Sequence, residues 1–119
     1  MIAILMTCFN RKAITLNCLA ALNTACDGVA DYRVYLVDDN SADGTADAVA
    51  ARFPDVRIVK GSGDLYWNGG MRLAWQTAIP DKPDFYLWLN DDTVLRPDAI
   101  RDMLDLYKAQ SFPKTIVAG

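Results

Sequence analysis

Histidine is absent from this chain of 119 residues. Its absence excludes catalytic triads with an imidazole base, zinc sites with histidine ligands and histidine general bases. The three cysteines, Cys8, Cys18 and Cys26, form no CxxC pair, so the thiolate spacing of a metal site is missing as well. An odd number of thiols without that spacing is typical of a reduced, cytosolic protein with buried cysteines.

Several other signals are missing. No GxGxxG or GxxxxGK[ST] motif occurs, which argues against a Rossmann dinucleotide site and a P-loop. The N-terminal apolar run precedes Arg11 and Lys12 instead of following basic residues, so it does not match a secretory signal. The net charge is −3, and no basic face favours nucleic acid. We expect a protein without a nucleic-acid partner, in the cytoplasm or at the inner face of the membrane.

Short apolar runs alternate with segments of helical periodicity along the whole chain. Its length and its 52% of hydrophobic residues suit one compact domain. The alternation predicts an α/β fold, a doubly wound and mostly parallel sheet with helices on both faces. The predicted strands are 2–7, 33–37, 56–59, 85–89 and 115–118, and the predicted helices are 12–25, 43–53, 68–78 and 97–108.

Polar clusters follow four of the predicted strands, whereas the turns at the opposite ends carry ordinary turn residues. Right-handed crossovers place all strand-to-helix loops at one edge of such a sheet, where ligands bind. We therefore expect one cleft built from separate parts of the chain. The four clusters are 7–11, 38–44, 60–67 and 90–92.

The run from Tyr86 to Leu89 ends in Asn90, Asp91 and Asp92. Two adjacent carboxylates at the end of a buried strand repel each other, and a divalent metal that holds phosphates is a common partner for them. Asp92 and Thr93 also precede a predicted helix, so they suit an N-cap equally well. This segment alone leaves both interpretations open.

Taken together, three blocks of sequence resemble glycosyltransferase family 2, whose members are inverting enzymes of GT-A fold. The order and spacing of the blocks agree with the family, and the resemblance covers essentially the whole chain. Residues 61–71 with 88–92 look like the rhamnosyltransferase-type branch. The resemblance implies that residues 1–119 form the nucleotide-sugar-binding half of a GT-A domain, without the acceptor-binding half. The three blocks are Thr7-Cys8-Phe9-Asn10-Arg11, Val37-Asp38-Asp39-Asn40-Ser41-Ala42-Asp43-Gly44-Thr45 and Leu89-Asn90-Asp91-Asp92.

The resemblance also implies roles for individual residues. Asp39 would accept the imide N–H of uracil or thymine, while Asp38 would brace the loop. Asp92 would bind Mn²⁺ or Mg²⁺, and Asp91 would contact the ribose, or the metal through water. Asn90 replaces the usual first Asp of the family's DXD motif and lowers the local charge. Thr7, Asn10 and Arg11 would line the nucleotide pocket, and Arg72, Lys60, Trp67 and Asn68 would lie near the diphosphate and sugar.

The implied reaction transfers a sugar from a UDP- or dTDP-sugar donor, with inversion, to a hydroxyl of a saccharide or lipid-linked acceptor. The family places its general base after the fifth strand, so no catalytic residue is assigned in this chain. We expect residues 1–119 to bind donor but to transfer sugar poorly or not at all. Exposed apolar surface at a fifth strand would favour self-association into a homo-oligomer.

Two other functions compete with this interpretation. A nucleotidyltransferase would share the acidic strand ends, but residues 7–12 contain no glycine-rich loop. A noncatalytic, flavodoxin-like binding or interaction domain would share the fold. Several residues also have structural alternatives: a turn or cap at Asn10 and Ser41, a helix N-cap at Asp43, close packing at Gly69 and Gly70, core or interface positions for Tyr66 and Trp67, and core positions for Trp75 and Trp88.

Overall fold

A computed structural model gives the structure of residues 1–112 and 114–118. Strands and helices alternate along these residues, as the sequence predicts. The strands are β1 (Ile2–Cys8), β2 (Tyr32–Asp38), β3 (Arg57–Lys60) and β4 (Phe85–Trp88), and the helices are α1 (Lys12–Cys26), α2 (Thr45–Arg52), α3 (Tyr66–Ala78), followed by a short 3₁₀ helix (Ile79–Asp81), and α4 (Ala99–Lys108).

The four strands form one parallel sheet in the order β3-β2-β1-β4. Strand β1 pairs with β2 from Ile2↔Tyr32 to Cys8↔Asp38 and with β4 from Ile2↔Phe85 to Leu5↔Trp88. Because β1 is internal, its near-continuous apolar run is buried on both faces, as is usual for parallel sheets. The chain reverses its direction of travel across the sheet at β1, between β2 and β4.

Helices cover both faces of the sheet, which confirms the predicted fold class. Residues of β1 alternate between the two sides, with Ile4 and Met6 on one and Ala3 and Leu5 on the other. Helices α1, α2 and α4 cover the first side, and α3 alone packs on the second. The helix residues buried in the first core include Cys18, Leu19, Leu22, Val49 and Ile100, and those in the second are Met71, Ala74 and Ala78.

The prediction of a fifth strand is wrong for the residues that the structure describes. Residues 115–118 form no strand, and the side chain of Ile116 is 96% exposed. An apolar run becomes a strand only when a neighbouring strand takes up its backbone hydrogen bonds. Within residues 1–112 and 114–118, no helix has the length and hydropathy needed to cross a membrane.

Candidate functional site

Loops from all four strands meet at the edge of the sheet where the strands end, called here the carboxyl edge. The parallel pairing places Cys8, Asp38 and Lys60 at this edge in adjacent strands. Burial raises the pKa of the Cys8 thiol to about 12, and the nearby carboxylates of Asp38 and Asp91 add to the shift. Acidic groups from β2 and β4 therefore flank the end of β1, as the sequence predicts. This position, between β1 and β4, is where parallel α/β sheets bind ligands.

Arg11 links the loop after β1 to the acidic pair after β4. Its Nη1 lies 2.9 Å from Asp91 Oδ1, and its Nη2 lies 3.7 Å from Asp92 Oδ2. The side chain of Asp91 is 8% exposed, whereas those of Arg11 and Asp92 are 43% and 54% exposed. The structure thus brings three of the predicted site residues together. The guanidinium of Arg11 supplies part of the positive charge expected near the two carboxylates.

Asp91 is only partly satisfied by this contact. Its Oδ2 atom is buried and has no hydrogen-bond partner in the described part of the chain. Burial raises the pKa of Asp91, the Arg11 guanidinium opposes that shift, and the Asp92 carboxylate adds to it. A buried acceptor without a partner is costly, so this oxygen marks a position where an external donor or a cation would be stabilised.

The acidic pair fits one mode of divalent-metal binding. Among residues 1–112 and 114–118, no three side chains of His, Cys, Asp or Glu lie close enough to form a complete protein cage. Mg²⁺ is commonly held by one or two carboxylates, with water and substrate phosphates as the remaining ligands. Asp92, with its exposed carboxylate, and Asp91, with its unpartnered oxygen, meet that requirement only when phosphate ligands are present.

Asn90 does not join the acidic pair. Its side-chain Oδ1 accepts a hydrogen bond from Trp67 Nε1 at 2.9 Å, and its carbonyl oxygen lies 3.5 Å from Cys18 Sγ. The first position of the DXD-like segment therefore connects the end of β4 to the first turn of α3. Its side chain positions Trp67, which is 52% exposed at the carboxyl edge.

Asp39 organises the loop between β3 and α3. Its carboxylate accepts hydrogen bonds from the backbone N–H groups of Gly63 at 2.7 Å, Leu65 at 3.0 Å and Tyr66 at 3.2 Å. The residue is 4% exposed, and a Cβ added to Gly61 would lie 2.5 Å from its Oδ1 atom. Asp39 thus braces the loop before α3, a role that was not predicted for it, and its predicted contact with a nucleobase stays a prediction.

Asp38 makes a smaller contribution to the loop after β2. Its Oδ1 accepts the backbone N–H of Ser41 at 3.1 Å, and the residue is 4% exposed. The sequence could not separate the roles of two adjacent carboxylates, because their partners lie at very different distances along the chain. Asp39 binds amides 24 to 27 residues away, whereas Asp38 binds one only 3 residues away.

Asn10 fastens the loop after β1 to the loop after β2. Its Oδ1 accepts the N–H of Ala42 at 2.7 Å, and its own N–H donates to Ser41 Oγ at 2.9 Å. Its φ of 50° lies in the left-handed region, which Asn tolerates better than most residues. The structure therefore shows the structural alternative for Asn10 and Ser41, and the predicted nucleotide contact of Asn10 stays untested.

Asp43 binds the first residues of two helices, although the N-cap of α2 is Gly44 and not Asp43 as predicted. Its Oδ2 accepts the N–H of Lys12, the first residue of α1, at 3.0 Å, and its Oδ1 accepts the N–H of Thr45, the first residue of α2, at 3.1 Å. The hydroxyl of Thr45 also donates to Oδ1 and is the main cause that lowers the pKa of Asp43. One carboxylate thus fixes both helices at the carboxyl edge.

Thr7 lies beneath the start of α3. A Cβ added to Gly70 would come within 2.2 Å of Thr7 Oγ1 and 2.7 Å of Thr7 Cβ. The hydroxyl of Thr7 also donates to the carbonyl of Val37 at 3.3 Å. Gly70 therefore permits close packing of α3 on β1, the structural role considered for it, and this packing partly covers the Thr7 side chain predicted to line the pocket.

The other predicted residues, Lys60, Arg72 and Asn68, lie on β3 and α3. Lys60 ends β3, and β3 is separated from β4 by three strand spacings of ~4.8 Å, roughly 14 Å in all. Arg72 is exposed on α3 six residues after Tyr66, about 9 Å along the helix axis from its first residue. Asn68 is exposed in the first turn of α3. The structure does not bring Lys60 to Asp92, whereas Asn68 and Trp67 lie at the carboxyl edge.

Four aromatic side chains form an exposed patch along β4 and α3, called here the aromatic patch. Ring centroids are 6.0 Å apart for Trp67 and Trp88, and 6.2 Å apart for both Trp75 and Trp88 and Trp75 and Tyr86. Trp75 and Trp88 are 43% and 47% exposed, so the prediction that both are core residues is wrong. They face the side of the sheet covered by α3 alone, and β4 extends beyond that cover.

A sequence model of the family described as "Glycosyl transferase family 2" matches residues 3–114. No curated protein sequence matches the chain significantly. The matched segment covers β1 from its second residue, the other three strands, the four α-helices and every residue predicted for the site.

Among solved structures, the fold is similar to that of S. aureus TarS. The structure of TarS 1–349 in complex with UDP has a TM-score of 0.75 at 17% identity, over 90% of this chain and 32% of that chain. A second structure of TarS 1–349 gives 0.73 at 16% identity with the same coverage. A structure of TarS gives 0.69 at 16% identity, over 90% of this chain and 19% of that chain. The likeness shows the fold, and the chain spans about a third of the length of TarS 1–349.

Proposed function

Since the chain belongs to glycosyltransferase family 2, we propose that its carboxyl edge binds a nucleotide-diphosphate sugar with a divalent cation, for transfer of the sugar to an acceptor hydroxyl with inversion. The observation that carries this proposal is the buried, unpartnered Oδ2 of Asp91 next to the exposed carboxylate of Asp92. Such a pair, placed between β1 and β4, suits Mn²⁺ or Mg²⁺ whose other ligands are diphosphate oxygens.

Each side of the site would bind a different part of the donor. Asp92 and Asp91 would hold the cation, and Arg11 would pair with diphosphate oxygens, for which its planar guanidinium is well suited. Asp39 would set the wall of the nucleotide pocket by fixing the loop of residues 63–66. Trp67, positioned by Asn90, would pack on an apolar face of the sugar.

In the proposed reaction, an acceptor hydroxyl attacks the anomeric carbon while the bond from that carbon to the diphosphate oxygen breaks. The nucleoside diphosphate leaves with the bonding electrons, so negative charge grows on its oxygens. When bound, the divalent cation would supply electrostatic stabilisation of that charge. Arg11 would add to this stabilisation, because its guanidinium lies beside the same carboxylates. The hydroxyl proton passes to a general base, and the acid predicted after residues 115–118 stays a prediction.

The choice of nucleotide rests on two supports of unequal strength. S. aureus TarS, similar in fold, has been solved with UDP, which makes UDP the first nucleotide to test. The resemblance to a rhamnosyltransferase-type branch makes dTDP the second. Both bases carry an imide N–H, so an acceptor at the β2 end would serve either one. We also propose a cytoplasmic location, or one at the inner face of the membrane.

Titration calorimetry with UDP and dTDP, each with and without Mn²⁺, tests the proposal. We expect UDP or dTDP to bind in the presence of Mn²⁺ and to bind much more weakly without it. ADP is the matched control, since it carries the same diphosphate on a base without an imide. If no nucleotide bound in either condition, the proposal would be wrong. The noncatalytic interaction domain would then be favoured, with the aromatic patch as its supporting observation.

A further inference from the structure

The guanidinium of Arg11 spans both carboxylates of the proposed metal site. Nη1 contacts Asp91 Oδ1 at 2.9 Å, and Nη2 approaches Asp92 Oδ2 at 3.7 Å. A positive charge already lies where a divalent cation would be held. Since like charges at such separations repel each other strongly, Arg11 and the cation cannot share the two carboxylates without loss of affinity.

We propose that Arg11 acts as an internal counter-ion that competes with the divalent cation, so that the metal and the diphosphate bind cooperatively. This inference rests on the proposed function and adds a positioning role for one residue of the same site. Without nucleotide, Arg11 remains on the carboxylates and weakens metal binding. A diphosphate gives the guanidinium a second anion to bind, and Asp91 and Asp92 then become free for the metal.

The contacts of Arg11 allow this exchange. Its side chain is 43% exposed, and its guanidinium contacts in the described residues are those with Asp91 and Asp92. The backbone around it is held firmly, because Asn10 N–H donates to Ser41 Oγ and Lys12 N–H donates to Asp43 Oδ2. The side chain can therefore change partners while the loop that carries it stays in place.

The ion pair is also incomplete, which distinguishes it from a purely structural contact. Arg11 satisfies Asp91 Oδ1 but leaves Oδ2 buried without a partner. Its approach to Asp92 is long, and Asp92 is more than half exposed, so that contact is weak. A structural ion pair would bring both carboxylate oxygens into hydrogen bonds, whereas here one ligand oxygen is left for a different cation.

The decisive measurement is the affinity of the whole chain for Mn²⁺ without nucleotide. The electron paramagnetic resonance signal of free Mn²⁺ reports how much of the ion is bound. We expect Arg11→Gln to bind Mn²⁺ roughly tenfold more tightly than the unchanged chain, a typical size for coupling between two ligands. We also expect the increase in Mn²⁺ affinity caused by UDP to shrink in the variant. By reciprocity, the increase in UDP affinity caused by Mn²⁺ should shrink by the same factor.

Arg52→Gln is the matched control, because it removes the same charge from the last residue of α2, far from the carboxyl edge. Arg52→Gln should leave the Mn²⁺ affinity unchanged, both without and with UDP. Arg11→Lys keeps the positive charge but loses the planar guanidinium that contacts both carboxylates. The affinity of this variant for Mn²⁺ alone should fall between those of the unchanged chain and Arg11→Gln. This second variant decides the question if circular dichroism shows that Arg11→Gln does not fold.

The outcomes separate this inference from the function on which it rests. Equal Mn²⁺ affinities without nucleotide for the unchanged chain and the folded Arg11 variants would overturn the inference, even if UDP bound normally. Absence of all nucleotide binding would overturn the proposed function, while the Mn²⁺ measurement would still decide the competition. A tenfold increase in Mn²⁺ affinity with Arg52→Gln as well would also overturn the inference, because the change in net charge would then explain the effect.

Discussion

Arg11 and Asp91 are joined by a 2.9 Å ion pair although 80 residues separate them in the sequence. The pair connects the loop after β1 to the turn after β4, the two strands between which the proposed site lies. It gives one carboxylate a counter-charge and leaves the adjacent one largely exposed to solvent. The two acids of the pair should therefore respond differently to substitution.

Asp92→Asn should abolish most of the Mn²⁺-dependent gain in UDP or dTDP affinity, by a factor of about 10 to 100. The amide is a weaker ligand for a hard cation than the carboxylate. The free energy of unfolding should change little, because the Asp92 side chain is 54% exposed and makes only a long ion pair. Calorimetry and urea unfolding measure the two effects. Asp55→Asn, an exposed change in the turn after α2, is the control and should alter neither.

Asp39→Asn should destabilise the protein by about 1–3 kcal/mol, the usual cost of leaving a buried hydrogen-bonding group unsatisfied. The side-chain NH2 of Asn would face the N–H groups of Gly63, Leu65 and Tyr66, which now donate to the carboxylate. Urea denaturation measures the loss. Asp64→Asn lies in the same loop but is exposed, so it should be nearly neutral. Equal stability for the two variants would contradict the bracing role of Asp39.

Gly70→Ala should cost about 1–3 kcal/mol of stability, because overpacking forces neighbours to shift. The new methyl would lie 2.2 Å from Thr7 Oγ1. Gly69→Ala is the matched control, since its nearest contact would be 3.2 Å from Leu65 Cβ and Ala favours helix over Gly. Thermal unfolding of both variants, and of Gly70→Ala combined with Thr7→Ala, should show partial rescue only in the double variant. Additive effects would exclude a direct clash.

Stability should fall as the pH drops below about 4, and Asp81 should contribute to the fall. The hydroxyl of Tyr35, which donates to Asp81 Oδ2 at 2.6 Å, and the guanidinium of Arg33 hold the pKa of Asp81 below its ordinary value of 3.8. A carboxyl group whose pKa is lowered by folding stabilises the folded protein when the pH is above its ordinary pKa. This contribution is lost as the pH falls through its pKa in the folded state.

Urea unfolding at pH 7 and at pH 3 measures this effect. Asp81→Asn should lose stability at pH 7 and show a smaller decrease between the two pH values than the unchanged chain. Asp55→Asn makes the same charge change without the contacts to Tyr35 and Arg33, so its decrease should match that of the unchanged chain. An undiminished decrease in Asp81→Asn would argue against the role of this carboxylate.

The three thiols should be inert in the folded protein. Burial raises the pKa of Cys8 to about 12 and those of Cys18 and Cys26 to about 11, so almost no reactive thiolate is present at neutral pH. Ellman's reagent at pH 8 should modify none of them within minutes and all three after unfolding in guanidinium. Rapid modification of any thiol before unfolding would contradict the burial seen in the core.

The sequence contained enough information for the alternation of elements and for the edge where the polar loops meet. Both follow from local periodicity and from the handedness of parallel crossovers. It did not contain the exposure of Trp75 and Trp88, because a helical stripe or a strand alternation shows which residues share a face but not whether that face is covered. The predicted strand at 115–118 failed for a similar reason, since pairing requires a neighbour.

Within the site, the sequence identified the right residues more readily than their partners. Asp91 and Asp92 stood out by their place at the end of an apolar run. Their contact with Arg11, and the hydrogen bonds to Asp39 from the amides of Gly63, Leu65 and Tyr66, depend on how loops pack after the sheet has formed. Local patterns carry no information on such distant contacts, so the hydrogen bonds from the loop before α3 to Asp39 were not predicted.

The central place of β1 has a consequence for the nascent chain on the ribosome. Ile2–Cys8 is synthesised before both of its partner strands, and the second of these ends only at Trp88. Until that strand emerges, one side of a very apolar ribbon remains open to other chains. We therefore expect translation pauses or chaperone depletion during this interval to reduce the yield of soluble protein. The reduction should be larger than that caused by changes on the β2–β3 side of the sheet, where the strands are already paired.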